Sequence, residues 1–408
     1  MGKSIFFTGQ PIFTQLLKFI PRSMVAGLSA QHRADRYCKR FMAYDHLVSM
    51  LYCSFHRSSS LRELITGLQA NSYRLAHLGF RHTPRRSTLS DANRRRPVAF
   101  FSELYHRLYK HHFGLPDSRK DNRLFIIDST TMSLFSSIMQ GAGSYKANGK
   151  KKGGVKAHVM FDAYEDLPAF VHLSQAKAND LTFLPLINPP QGSTVVMDKA
   201  YIKYAQFQQW TQRSIRWVTR MKETTVFEVL DNKALSKASL KAGVTADRIL
   251  QLGRPSNARQ TPLIKARAVD FFDKEKNRCF KFISNDFDCP PEQIAYIYKK
   301  RWQIELLFKR LKQNYPLKYF LGDNPNAIQI QIWTALICDL LIKIVQKIVH
   351  RQGKKRWAYA NLASMIKHHL MTYIDLIDFL KHPERALIHY RPPETIPKQL
   401  EFQYRAST

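Results

Sequence analysis

Acidic side chains are scarce in this sequence. Its 408 residues hold 31 Asp and Glu against 64 Lys and Arg, giving a formal net charge of +33 and a pI of about 10.1. So large an excess of one sign repels itself in a compact chain and argues against a cationic partner. A polyanion would offset it, nucleic acid first and an anionic membrane surface second. Cysteine is also sparse. Cys38, Cys53, Cys279, Cys289 and Cys338 are widely spaced and form no C-x-x-C pair, which excludes a disulfide scaffold and a zinc or redox motif of that type. Buried thiols in a reducing cytoplasm fit best. The N-terminal stretch MGKSIFFTGQPIF has no long apolar run leading to a small-residue cleavage site, so no signal peptide is expected. The most apolar stretch, Ile328 to Val345, is interrupted by Gln329, Gln331, Asp339 and Lys343, which predicts a core helix and no membrane attachment. No internal repeat is evident.

What remains is a globular composition, 44% hydrophobic and 12% aromatic, in a chain long enough for two or three domains. Residues 10–115 read as helical. Ser59 or Ser60 caps a helix through SSSLRELITGL, with Gly67 near its end. In HTPRRSTLSDANRRRP, Pro84 ends what precedes, Ser87 or Thr88 caps a short helix, and Pro97 stops it. That helix carries Arg85, Arg86, Arg94, Arg95 and Arg96, as a DNA-reading helix or a solvated basic face would. From Arg123 the texture changes. RLFIIDSTT is an apolar run closed by Asp128. GVKAHVMFDAY and LPAFVHLSQA predict two strands around a Glu165-Asp166 turn, and GSTVVMDKAY a strand closed by Asp198. Helical patterns at NDLTFLPLI and QFQQWTQR, and a strand at IRWVTRMK, complete an α/β rhythm. Residues 223–285 break it with short β-like runs, TVFEVL, IKARAVDFF and RCFKFIS, which predict a β-rich insertion. The chain from Pro290 onward reads as helical. KANGKKKGGVK, Lys146 to Lys156, reads as a basic loop between strands, with Lys150, Lys151 and Lys152 placed to track phosphates.

Asp128 and Asp198 stand at strand ends, where ligands gather in open α/β sheets. Such acids also serve as turn or cap residues. A third acid, Glu305, sits alone among six bases in YKKRWQIELLFKRLK, Tyr298 to Lys312. On one helix, Tyr298, Arg301, Glu305 and Lys312 would share an arc of about 60° beside an apolar stripe of Ile297, Ile304, Phe308 and Leu311. A plain ion pair of Glu305 with Arg301 or Lys309 explains one acid among bases. It does not explain four such residues on one edge.

Tyr298-(2)-Arg301-(3)-Glu305-(6)-Lys312 resembles the Y-R-E-K signature of the IS4 family of DDE transposases. IIDST resembles the strand of that family's first catalytic aspartate. MDKAY resembles the second, with Ala200 where the family often has glycine. The similarity spans roughly residues 120–350, and the N-terminal hundred residues resemble, more loosely, a helical domain that accompanies such enzymes.

The resemblance implies an α/β fold with an RNase H-like core at 119–222 and 286–350. It further implies a β-rich insertion domain at 223–285, a helical N-terminal DNA-binding domain at 1–118 and a helical C-terminal region at 351–408. Asp128, Asp198 and Glu305 would be catalytic and hold two Mg²⁺, which Mn²⁺ could replace. Tyr298, Arg301 and Lys312 would bind DNA; Trp302, which follows Arg301, would either stack on an extruded base if a hairpin forms or simply pack. The implied function is a cut-and-paste DNA transposase acting on terminal inverted repeats, a homodimer in its synaptic complex, in the bacterial cytoplasm at the nucleoid. The alternatives are a DNA-binding protein without catalysis and a structure-selective nuclease.

Overall fold

A computed structural model describes residues 9–80, 83–114, 123–133, 144–147, 150–253, 262–317, 320–353 and 356–383, the side chains of 133, 144–147 and 150–153 excepted. The first described third is helical: α1 (Ile12–Leu17), α2 (Arg22–Gln31), α3 (Ala43–His56), α4 (Leu61–Ala70), α5 (Ser72–Leu75), α6 (Arg86–Arg95) and α7 (Val98–Phe113). Ser60 is the cap of α4, its side chain accepting from the Glu63 amide. α6 starts two or three residues earlier than a Ser87 or Thr88 cap suggested, at Arg86, and has no side-chain cap. Pro97 stops α6, then precedes the first turn of α7.

Next come β1 (Leu124–Ser133), β2 (Ser144–Ala147), β3 (Lys150–Asp162), β4 (Leu167–Gln175), β5 (Thr194–Met197), α8 (Tyr204–Gln212) and β6 (Arg216–Arg220). NDLTFLPLI forms only two short 3-10 turns, with Asn179 capping the first. The five central strands lie in the order β4-β3-β1-β5-β6. β3 is antiparallel to both β4 and β1, and β5 and β6 run parallel to β1. That is the RNase H-like arrangement. The basic stretch read as a loop is instead a hairpin. Its β3 half, Lys150 to Lys152, pairs with Ala147, Lys146 and Tyr145 of β2, and the side chains of these lysines lie outside the described residues.

The insertion supplies β7 (Phe227–Asn232), α9 (Lys237–Ala242), β8 (Val244–Leu252), β9 (Ile264–Asp273) and β10 (Arg278–Ser284). It forms no sheet of its own. β10 pairs with β6, and the order continues β10-β9-β8-β7, so that one ten-stranded sheet runs through core and insertion. α10 (Pro291–Lys299), α11 (Trp302–Asn314), α12 (Pro325–Gln352), α13 (Tyr359–His368) and α14 (Leu376–Lys381) follow.

Alternation along β1 sorts the two faces of the sheet. Phe125 and Ile127 join Val195, Met197, Trp210 and Trp217 under α8. Ile126 and Met132 face the other way, into the larger core formed by the N-terminal helices, α11 and α12. α11 enters that core with Ile304, Leu307, Phe308 and Leu311, spaced as one helical face. Each such burial contributes about 1.5–3 kcal/mol.

α12 is long and apolar enough to cross a membrane, yet 94% of its apolar window is buried within the protein. It is the central core helix, as its polar interruptions suggested. Asp339, 1% exposed, pairs with Arg310 of α11 (Nε to Oδ1, 3.1 Å), and Arg310 also donates to Asp166 (2.6 Å). Lys343 reaches the same Asp166, and Lys347 pairs with Glu165 at 2.9 Å. These pairs tie α11 and α12 to the β3–β4 turn. Asp339→Ala would leave Arg310 buried with half its charge compensation gone. Its expected cost is about 3–5 kcal/mol of stability, read by urea unfolding.

Candidate active site

β1 and β5 are parallel neighbours in register, Ile127 beside Met197. The next residue on each is an aspartate, so Asp128 and Asp198 lie side by side. Side-chain alternation places Asp128 on the face shared by Ile126, opposite to Ile127, and that face is the one α10 and α11 cover. Asp128 does not end its strand. β1 continues through Ser133, because β3 is long enough to pair with it as far as Ser133–Gly154. Asp198 does end β5, and its carboxylate also caps the following 3-10 turn, accepting from the Ala200 amide at 3.1 Å. The cap role and the strand-end role thus coincide in one residue.

Tyr298 to Lys312 is not one helix. α10 ends at Lys299, and α11 begins at Trp302 after a turn at Lys300 and Arg301. Arg301 keeps helical backbone angles, so its side chain still reaches Glu305 one turn on. Its guanidinium is a fork between two acids: Nη1 donates to Asp128 Oδ2 and Nη2 to Glu305 Oε1, both at 2.7 Å. The expected Arg301–Glu305 pair exists, as one arm of that bridge. Arg220, at the end of β6, holds Asp198 at 3.4 Å. Lys312 Nζ donates to Thr130 Oγ1 of β1 at 2.9 Å. The Tyr298 ring packs 4.8 Å from Phe282, with the Arg220 guanidinium 6.0 Å from its centre. Trp302 is 59% exposed. Arg220, Tyr298, Arg301 and Trp302 together border an open cleft of about 820 Å³ against Phe272 and Phe280 of the insertion. Arg85, Arg86, Arg94 and Arg95 are exposed on α6, with Asp91 pairing with both Arg94 and Arg95. Arg96 is not on that face. It is 4% exposed and turned inward.

Burial pushes the Asp128 carboxyl up to about 6. The Ser129 amide and Arg301 oppose that rise, and the charges of Asp198 and Glu305 add to it. Burial is thus the main cause of the rise, and the neighbouring charges only modify it. Two supporting residues were missed in the sequence. Arg220 was visible only as the last residue of a strand next to the Asp198 strand. Asp180 lies behind Asp128, accepting from Ser129 at 2.8 Å and from Lys156 at 3.3 Å. No spacing motif announced it.

The family model described as transposase DDE domain matches residues 119–341, more than half of the chain. This chain belongs to the IS4-family DDE transposases. A second model, described only as a domain of unknown function, matches residues 8–81. A Sinorhizobium fredii protein that carries a transposase name, y4zB, is 29% identical over 79% of this chain and 87% of its own length. A Synechocystis protein named for the insertion sequence element IS4SA is 27% identical over 64% of this chain and 71% of its own. A solved piggyBac transposase synaptic complex with hairpin DNA overlays at a TM-score of 0.46 with 11% identity, over 98% of this chain and 87% of that one. The chain is therefore a DNA transposase, an enzyme of a family that works with divalent metal ions.

The raised Asp128 carboxyl has a consequence for stability. Its ordinary unfolded value lies near 3.9. A carboxyl raised on folding lends stability that is complete below about 4 and lost as pH rises through about 6. Without metal, Asp128→Asn should thus gain on the parent by up to about 3 kcal/mol between pH 4 and pH 7, in urea unfolding at each pH.

Proposed function

We propose that this transposase binds the terminal inverted repeats of its own element and cuts and rejoins DNA there with Asp128, Asp198 and Glu305 as the metal-holding acids. The observation that carries this reading is the Arg301 fork: one cation already bridges Asp128 and Glu305, beside Asp198 on the neighbouring parallel strand. Three carboxylates are a hard oxygen donor set that suits Mg²⁺, with Mn²⁺ as a substitute. Among the described residues no three His, Cys, Asp or Glu stand close enough to hold an ion, and Arg301 lies between two of the acids concerned. The donor set fits a pair of divalent ions once that guanidinium turns to another anion. When bound, the ions supply an activated water or 3′-hydroxyl and a stabilised leaving oxygen.

The protein's own groups do the rest. A DNA phosphate entering the cleft offers Arg301 a partner as good as the carboxylates it releases. Lys312, one face of α11 further on, and Arg220 flank the same phosphates. The Tyr298 hydroxyl donates to a phosphate oxygen. Trp302, exposed at the cleft rim, stacks on a base drawn out of the duplex, which makes a hairpin route feasible. Arg85, Arg86, Arg94 and Arg95 of the N-terminal domain, taken as residues 1–118, bind DNA further from the cut, as do Lys150 to Lys152. The core is 119–222 with 286–350, the insertion 223–285, and the C-terminal helical region 351–408. The working form is a homodimer that pairs two element ends, in the cytoplasm at the nucleoid.

A plasmid carrying this gene with its native flanks tests the reading. The parent with Mg²⁺ should cut at two flanking inverted repeats. Glu305→Gln should cut about 10²–10³-fold more slowly or not at all, while still binding the ends. Equal cutting by Glu305→Gln would contradict the assignment.

A further inference from the structure

The loop between α2 and α3, residues 32–42, is built around the arginine that the basic run on α6 had seemed to present to solvent. Arg96 is buried and donates from Nε to the Ala34 carbonyl (2.9 Å) and from Nη2 to the Phe41 carbonyl (2.9 Å), with Cys38 Sγ 3.3 Å from Nη2. Asp35 works from the same side. It accepts from the Ala43 amide (2.5 Å) and the Ser29 hydroxyl, and stands 3.7 Å from Arg96. The only acid of the loop is thus spent inside it. What faces water is Arg33, Arg36, Lys39 and Arg40, all exposed, and Tyr37 at 89% exposure. Arg36 lies over the Tyr37 ring, 4.7 Å from its centre, and donates to its hydroxyl at 2.8 Å.

The backbone adds a second observation. Arg33 (φ 51°) is left-handed as part of the end of α2, where the Ala34 amide donates to the Ser29 carbonyl at 2.8 Å, whereas Tyr37 (φ 61°) is left-handed where no helix end requires it. Strained positions persist only where the surroundings over-determine them, as Arg96 and Asp35 do here, and they gather at binding sites. Burial gives no reason for a tyrosine at position 37, since the residue is 89% exposed.

Arg95 is next in the chain to the residue that grips the loop, which brings the loop near the exposed end of α6, where Arg94 and Arg95 share Asp91. Resting on the transposase reading above, we propose that loop 32–42 is a duplex-DNA contact. Arg33, Arg36, Lys39 and Arg40 bind phosphates beside Arg94 and Arg95, and Tyr37 packs on the sugars between them. Charge alone would also suit an anionic lipid surface. DNA is favoured because the tyrosine is braced by Arg36 and the loop is rigidly held, and because the same protein must hold DNA at its cleft.

The test uses the full-length protein and a labelled duplex from the flanks of its gene, with anisotropy titrations over a range of salt. Each phosphate contact contributes about 0.9 to the slope of log K against log salt. Arg36→Gln, Lys39→Gln and Arg40→Gln together should lower that slope by about 2–3 and weaken binding roughly 10- to 100-fold. Tyr37→Gly should raise the melting temperature, by relieving the left-handed strain, and yet bind DNA more weakly. A merely structural loop would show the first effect without the second. Unchanged slope and affinity in the triple variant would overturn the proposal, and if the parent still cuts at its ends the transposase reading stands without it. Intact DNA binding with lost binding to phosphatidylserine vesicles would also overturn it. A parent that binds no duplex would sink both readings.

Discussion

Three carboxylates brought to one edge of a sheet repel one another unless positive charge stands among them. In this protein that charge is Arg301, which bridges Asp128 and Glu305, with Arg220 against Asp198. The bridge joins the strand that opens the core to a helix 173 residues further along the chain. It does not cancel the cost of burial, which still holds Asp128 well above the usual carboxylate range.

The geometry of that bridge depends on the packing behind it. α11 can present Glu305 only because Ile304, Phe308 and Leu311 anchor its other side in the core. Its far end is fixed by Arg310, Asp339 and Asp166, which lock helix, core helix and β-turn together. The sheet supplies the other half. Parallel pairing of β1 with β5 sets the two aspartates side by side, and β10 continues the same sheet from β6. The insertion is therefore coupled to the strand that carries Arg220, and it lines the cleft next to the acids.

Much of this was legible in the sequence. Apolar runs ending in acid marked β1 and β5, and the lone Glu305 among bases marked α11. Three features were not legible, each for a physical reason. The break at Lys300–Arg301 has no proline or glycine to announce it, so the run read as one helix. β1 outlasts its apolar stretch because pairing with β3, rather than hydrophobicity, holds its polar half. Arg96 sits in a run of three arginines, and no pattern in the run distinguishes the one that turns inward to satisfy loop carbonyls. The sequence marked residues 223–285 as β-rich without showing which strand they join. A strand's partner lies in tertiary structure, and nothing in RCFKFIS states that β10 joins β6.

The central claim is that Asp128, Asp198 and Glu305 hold the divalent ions. It is tested most directly by loading the protein with Fe²⁺ in place of Mg²⁺, adding ascorbate and peroxide, and mapping where the polypeptide breaks. The account predicts breaks clustered near these three residues, fading as Mg²⁺ is added in excess. Breaks clustered elsewhere, or none near these residues in a folded protein bound to its DNA ends, would contradict it.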